Sequence, residues 1–487
     1  MVEWVYENQI HGTRIRGGCV ARTVHSRMVV VCEPSKPRGT QRSANMTQRK
    51  RILFAISDTG GGHRSGAEAL QAALRLHPLG DSFEYSTIDL ITATGLPLLR
   101  SAPGLYDQLS TRWLPLFDLL YQLTNGRRRI DTLAQIAYVS AQRSIRRTLE
   151  SYKPDIVVSV HPLTNRFIGH SRIAYNMQFR FITVVTDLVS LHTAWGDLDA
   201  DLCIAPTHEG HDVLLAQGMP AAKVVYAGFP VHPKFTAYTM TEAAARTALG
   251  VDVSRATILL TAGGVGSGRL KELVVALHNA YPELQMLVVT GRNAALRTEL
   301  QRIDLARHVH VYGFVDNMEV LMAASDTVVT KAGPGTLMEA LVMRRPVIIT
   351  EAVGMQEHGN IDFVVNRGLG AYAPAVAQII EAVGSLMDPA VHADTIARLG
   401  DSVPRDGASR IADIIIDQLH VSPPLPTKKP RMPAILNRRH EPKEAPTRRV
   451  PNLSMSLLER LREHGGLTIN WRRRPRKKNR RANRNGE

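Results

Sequence analysis

Residues 51–70 read RILFAISDTGGGHRSGAEAL, and this stretch decides the fold. An apolar run from Ile52 to Ile56 stops at Ser57-Asp58-Thr59, and three glycines, His63 and an Ala-rich helical pattern follow. The order is that of a strand, a tight Gly turn and a helix, the opening βα unit of a doubly wound sheet. Glycines at such a turn let backbone approach a ligand closely, and the helix N-terminus favours negative charge there. His63 sits at that mouth with a side chain that exchanges a proton near neutral pH. Taken alone, the GGGH turn fits a plain strand–helix corner equally well.

The same logic recurs downstream. FEYSTIDL (83–90), IVVSVHP (156–162), FITVVTD (181–187), DLCIAP (201–206) and KVVYAGFPVHP (223–233) read as strands, giving an N-terminal α/β domain over 51–232. His63, His161 and Asp187 gather at the carboxyl ends of these strands, the edge where open α/β sheets bind ligands. His192 and Trp195 lie in the loop beyond Asp187. A second α/β domain, 233–420, holds ATILLTAGGVGSGRL (256–270), QMLVVTGRN (285–293), HVHVYGFVDN (308–317), DTVVTKAGPGTLMEAL (326–341) and RPVIITEAVGMQEHGN (345–360). Helical patterns then continue to about Leu419. Backbone N–H groups at 263–268 and 333–336 can cradle a diphosphate, with Lys331 as a counter-charge. No GxxxxGK[ST] occurs, which argues against P-loop hydrolysis, and the 263–268 turn lacks the spacing of a dinucleotide site.

The chain's 487 residues, 44% hydrophobic and 21% charged, suit a globular protein of two or more domains. No apolar run approaches the ~20 residues that span a bilayer, and the first twenty residues lack a signal-peptide core. Cys19, Cys32 and Cys203 are scattered, which points to a reducing compartment. The net charge of +16 resides in the extensions: residues 1–50 carry +6, residues 421–487 carry +14, and the body between is mildly acidic. Both extensions read as basic and disordered. The stretch from Leu96 to Arg129 brings Trp113, Leu114, Leu116, Phe117, Leu119, Leu120 and Tyr121 up against Arg127, Arg128 and Arg129. It reads either as a buried helix with a charged cap or as an interfacial segment, with arginines on anionic phosphate.

The strings SDTGGGHR, KPDIVVSVHPL, VVTDL followed by a histidine and tryptophan, GFPVHP, GRN, GFV, KAGPGT and the Gln-Glu-x-Gly-Asn loop together resemble the monogalactosyldiacylglycerol synthases. That family is related to processive diacylglycerol glycosyltransferases and to the GlcNAc transferase of peptidoglycan synthesis. The resemblance covers about residues 50–420. It implies a GT-B architecture, two Rossmann-like domains facing a cleft, with inversion at the sugar carbon. It also implies a UDP-sugar co-substrate (UDP-galactose or UDP-glucose), a diacylglycerol acceptor and no obligate metal. By position, Gly263, Gly264, Val265 and Gly266 would meet the diphosphate together with Gly333, Pro334, Gly335 and Thr336. Uracil would be read near Gly313, Phe314 and Val315, and Arg292 of the GRN string would join the donor side. Glu339 corresponds to a ribose-binding acid. Gln356, Glu357 and Asn360 would face ribose or hexose hydroxyls, a task suited to carboxylate and amide groups. His63 would be the general base and Asp187 the runner-up, although a turn-capping aspartate fits Asp187 as well. His161 would orient the acceptor or simply pack. His192 and Trp195 would line the acceptor mouth, with Gly61, Gly62, Trp113, Phe117 and Arg127 to Arg129 completing the acceptor and membrane face. Two departures stand out: GGVGSG lacks the glutamate of the plant enzymes, and His232 replaces an arginine near the diphosphate, losing a bidentate fork.

A basic tail attaches to any polyanion, anionic membrane lipid or nucleic acid, but no module for specific nucleic-acid recognition accompanies it. The expected location is cytoplasmic, peripheral on the inner face of the cell membrane. Three activities stay open: transfer to diacylglycerol, transfer to another lipid-linked acceptor or UDP-sugar epimerisation on the same fold, and polyanion binding by a body that has lost catalysis. Galactose and glucose differ by one hydroxyl's orientation and are not separated by the sequence.

Overall fold

The computed structural model describes residues 13–15, 19–24, 27–32, 49–57, 61–94, 113–261, 269–303 and 307–423. Within the 1–50 segment, read from the sequence as a disordered extension, three short strands pair antiparallel: β1 (Thr13–Ile15), β2 (Cys19–Val24) and β3 (Arg27–Cys32). The valines of CVARTV and RMVVVC supply strand propensity that a search for longer periodic patterns passes over. The basic tail from residue 424 lies outside the described residues.

The front half is built on β4 (Lys50–Ile56), β5 (Phe83–Asp89), β6 (Ile156–Ser159), β7 (Arg180–Val184), β8 (Leu202–Ala205) and β9 (Val224–Tyr226). All pair in parallel, in the order β5-β4-β6-β7-β8-β9. Such strands are covered on both faces, which explains their near-continuous apolar runs. Ile52, Phe54, Val158 and Ile182 pack on one face with Leu70 and Leu74 of the Gly61–Leu76 helix. Leu53, Ala55, Val157 and Phe181 pack on the other with Ile145, Leu149 and Phe167.

The rear half carries β10 (Thr257–Thr261), β11 (Gln285–Val289), β12 (Val309–Tyr312), β13 (Thr327–Thr330), β14 (Val347–Ile349) and β15 (Gly370–Tyr372). Their order, β12-β11-β10-β13-β14-β15, is that of a dinucleotide-binding sheet. The three-residue β15 interrupts what the sequence reads as unbroken helix beyond 360. It is too short to leave a period-2 signal.

The sequence boundary at 420 also needs correction. Helix Gly407–Leu419 returns to the front half, where Ile411, Ala412, Ile415 and Ile416 join the core under β4, β6 and β7. Its apolar stripe is buried there, so the front domain is completed by the far end of the body. Both halves lie within one compact unit. The order of strands reverses between β4 and β6 in front and between β10 and β13 behind, and ligands bind at such switch points. Among the described residues, no helix is long and apolar enough to cross a membrane.

Candidate active site

His63 lies in the first turn of the Gly61–Leu76 helix, directly beyond β4 at the front switch point. The ring is half-buried, and its Nδ1 is 2.8 Å from Thr186 Oγ1. Thr186 donates its one hydroxyl proton towards the Val160 carbonyl at 3.4 Å, so its oxygen faces His63 as an acceptor. We assign the imidazole proton to Nδ1 on this pattern, which makes Nε2 the basic nitrogen. Burial lowers the His63 pKa, against the opposing pull of the Asp187 carboxylate and the Val160 carbonyl. The ring is thus neutral near pH 7, and a carboxylate stands by to stabilise the imidazolium that forms when it takes a proton.

Asp187 is buried and held from both sides. Trp195 Nε1 donates to its Oδ2 at 2.7 Å, and Gln356 Nε2, from the rear half, donates to its Oδ1 at 3.0 Å. Both oxygens being engaged, Asp187 supplies charge to His63 and serves as an anchor between the halves. Trp195 is fully buried and 6.0 Å from the His63 ring, so it braces Asp187 from beneath and does not line an acceptor mouth. His161 stacks edge-on against His63 at 4.4 Å between centroids, while its Nδ1 caps helix Pro162–Ala174 by accepting from Leu163 N. Burial and the neighbouring His63 push its pKa well down, so it is a packed, uncharged support. His192 is fixed too, Nδ1 accepting from Ala194 N and Nε2 lying 3.2 Å from Thr124 Oγ1. It is a structural residue, not part of an open mouth.

Across the cleft, helix Pro334–Val342 begins at the rear switch point, beside Lys331. Proline at its first position has no N–H to lose, and the N–H groups of Gly335 and Thr336 have no partner within the helix. This end faces the His63 helix: a Cβ built on Gly335 would lie 3.8 Å from Ser65 Oγ. A helix N-terminus with a nearby lysine is an anion site. Lys331 Nζ is 3.6 Å from Glu357 Oε1, and Glu357 Oε2 accepts from Val353 N at 2.8 Å. Burial raises the Glu357 pKa despite the lysine. The other diphosphate turn, with Gly263, Gly264, Val265 and Gly266, lies outside the described residues.

Two of the expected hydroxyl-binding side chains turn elsewhere. Gln356 reaches Asp187, and buried Asn360 donates to the Ala332 carbonyl at 2.8 Å, bracing the turn that precedes the helix at 334. Helix Gly354–Val365 comes so close to the front half that a Cβ on Gly359 would sit 2.5 Å from Ser190 Oγ, and Gly359 N donates to that same oxygen. Glu339 is pushed up to about 7 by burial, with Lys234 lowering and Glu319 raising it. His232 caps helix Pro233–Thr236 through Nδ1, accepting from Lys234 N. Arg292 stacks on the exposed Phe314 ring at 5.1 Å, next to Gly313 and Val315. Sequence reasoning read the TDL string for Asp187 alone and missed Thr186, whose hydroxyl holds the His63 ring through Nδ1.

Helix Leu114–Thr124 has no buried residue, and Trp113, Leu116, Leu119, Leu120 and Leu123 are all exposed. The buried-helix alternative for this stretch falls, because its neighbours cover one side only. The neighbouring arginines divide: Arg127 donates to the Gln217 carbonyl at 2.7 Å and is structural, while Arg128 and Arg129 face solvent. Residues 96–112 of this stretch lie outside the described residues.

Two Rossmann-like sheets closing on a cleft, with an imidazole on one side and a bare helix N-terminus on the other, define the GT-B class of glycosyltransferase fold. Solved structures share it: MurG from Acinetobacter baumannii (TM-score 0.50, 14% identity, 76% of this chain and 99% of that one) and the glycotransferase of kitacinnamycin (0.51, 15%, 76% and 99%). A co-structure of S. aureus MnaA with UDP is also similar (0.50, 17%, 78% and 99%). Residues 63–231 match the family model for monogalactosyldiacylglycerol (MGDG) synthase, and 257–358 match the glycosyltransferase family 28 C-terminal domain. The chain is 33% identical over 351 residues to a chloroplastic monogalactosyldiacylglycerol synthase of Spinacia oleracea, covering 70% of this chain and 66% of that protein. To monogalactosyldiacylglycerol synthase 2 of Arabidopsis thaliana it is 33% identical over 346 residues, covering 69% and 73%. The chain belongs to the monogalactosyldiacylglycerol synthase family. It spans about two thirds of the length of these relatives.

Proposed function

We propose that this protein is an inverting glycosyltransferase that moves galactose from UDP-galactose to the free hydroxyl of diacylglycerol at a membrane surface. The observation that carries the reading is the setting of His63: at the mouth of the cleft, its Nδ1 on Thr186, burial favouring the neutral ring and the Asp187 charge close by. His63 Nε2 takes the acceptor's hydroxyl proton as that oxygen attacks the anomeric carbon from one face, and UDP leaves from the other. The diphosphate's growing charge falls to the N–H groups of Gly335 and Thr336, the dipole of their helix and Lys331, with no obligate metal. Glu339 serves the ribose, and the Gly313–Val315 segment the base. Galactose is chosen over glucose because the relatives are galactosyl enzymes by name. The exposed leucines beside Arg128 and Arg129 support a peripheral seat on anionic lipid, and an epimerase has no use for such a face.

His63→Ala tests the assignment. General-base assistance is worth roughly 10²–10⁴-fold, so turnover should fall by that much while UDP affinity stays the same. The wild-type kcat/KM should be level near neutrality and decline only at a pH below the ordinary histidine range, because burial holds the His63 pKa down. A variant that keeps most of its rate, measured with labelled UDP-galactose on diacylglycerol vesicles, would remove His63 from the mechanism.

A further inference from the structure

Helix Gly354–Val365, which presents Gln356 and Glu357, has a first turn that it cannot satisfy by itself. Its N-cap position is Val353, whose side chain makes no capping bond. The donor at its second residue, Met355 N, is instead taken by a carboxylate from the other half of the molecule: Asp118 Oδ1 accepts it at 2.9 Å. Aspartate is among the strongest capping residues, and its charge suits the positive end of the helix. The grip is reinforced by Gln122, whose Nε2 donates to Met355 Sδ at 2.8 Å, while Tyr121 OH donates to the Ser190 carbonyl at 3.2 Å and ties the same short helix to the front half. Gly354, at φ +58, leaves the room: a Cβ there would lie 2.5 Å from Asp118 Oδ1 and 3.1 Å from the Phe117 ring. Asp118, Tyr121 and Gln122 all belong to the Leu114–Thr124 helix, whose opposite side shows Leu116, Leu119, Leu120 and Leu123 to solvent at between 42% and 51% exposure. One short helix thus holds the donor half with its polar side and offers apolar side chains outward with the other.

We propose that Asp118 is a positioning residue that caps the donor helix across the cleft, so that seating the Leu114–Thr124 helix on lipid tightens the grip on the sugar nucleotide. The inference rests on the donor reading given above. A helix held on one side by packing and on the other by water is free to fray; the same helix with its leucines in a lipid surface is fixed, and Asp118 is fixed with it. The carboxylate that accepts from Met355 N then orders the turn that carries Glu357, the partner of Lys331 on the diphosphate side. Asp118 does not touch substrate and acts only through that turn.

The test is calorimetric titration of UDP into the full chain, with and without vesicles of mixed phosphatidylcholine and phosphatidylglycerol. Wild type should bind UDP about five- to tenfold more tightly with vesicles, a factor set by the free energy of a helix cap. Asp118→Ala should sediment with vesicles as wild type does, yet bind UDP at the weaker affinity in both conditions, raising the KM for the nucleotide sugar more than it lowers kcat. Asp118→Asn, which keeps an oxygen acceptor in the same place, should restore most of the response. Gly354→Ala attacks the contact from the other side and should reproduce the Asp118→Ala variant, which guards against a fault confined to the Leu114–Thr124 helix. A vesicle response intact in Asp118→Ala, or absent in wild type that binds UDP normally, overturns the coupling alone. Wild type that binds no UDP in either condition overturns the donor reading as well.

Discussion

Burial holds His192 uncharged. Its Nδ1 accepts from Ala194 N and its ring lies edge-on to Tyr121 at 5.0 Å, and burial lowers its pKa to about 4 from 6.5. A histidine with a depressed pKa contributes its full stability above 6.5 and loses it as pH falls towards 4, because the unfolded chain then binds the proton first. The loss is about 3 kcal/mol at the acid end. His192→Asn can still accept from Ala194 N through its side-chain oxygen and has nothing to titrate. Urea melts at a series of pH values should show wild type losing more stability than this variant between pH 6.5 and 4. Parallel curves would mean that the ring is not held neutral. His192 itself was legible as a histidine near the site, but its role was not, since only packing against Thr124 and Tyr121 shows that it is structural.

At the scale of the element, the Leu114–Thr124 helix shows how a pattern can be read correctly and still leave two outcomes. Its dense apolar content is as suited to a core as to a surface, and the sequence states which residues are apolar without saying what covers them. The structure decides: one side docks on the donor helix and the loop at Ser190, and nothing described covers the leucines. Burying a leucine is worth about 1.5–3 kcal/mol, so removing two half-exposed ones should weaken vesicle partitioning on the order of 100-fold. Leu119→Asp with Leu120→Asp should therefore stay in the supernatant in a sedimentation assay with anionic vesicles. Its thermal melt should hardly change, because exposed positions tolerate substitution within about 0.5 kcal/mol. Co-sedimentation equal to wild type would exclude this face as the lipid contact.

On the scale of the whole molecule, the two halves are joined where the chain crosses twice. Gly228, at φ +96, leaves the front sheet, and Gly407 brings the last helix back beside it. A Cβ on Gly407 would lie 2.4 Å from the Phe229 carbonyl oxygen, with no flexible atom to give way. Arg367 and Glu209 form an ion pair between the halves. Gly407→Ala should cost about 1–3 kcal/mol by forcing two backbones apart, seen as a lower melting temperature. An unchanged melt would show that the crossing is not tight.

The sequence by itself determined the strands, the Gly turns that end them, and the chemistry placed at their carboxyl ends. Each of those follows from local alternation, from the lack of a Cβ, or from a short motif, and β4, His63 and the 331–336 turn stand where they were read. Only the tertiary structure decided which polar groups answer to which. Asp187 with Gln356 and Asp118 with Met355 N are pairs far apart along the chain, and even the nearer pairs, Asp187 with Trp195 and Asn360 with the Ala332 carbonyl, follow from no local pattern. The return of the 407–419 helix to the front core has the same origin. A linear pattern records what a residue can donate, accept or bury, while its partner is set by how the two sheets close upon each other.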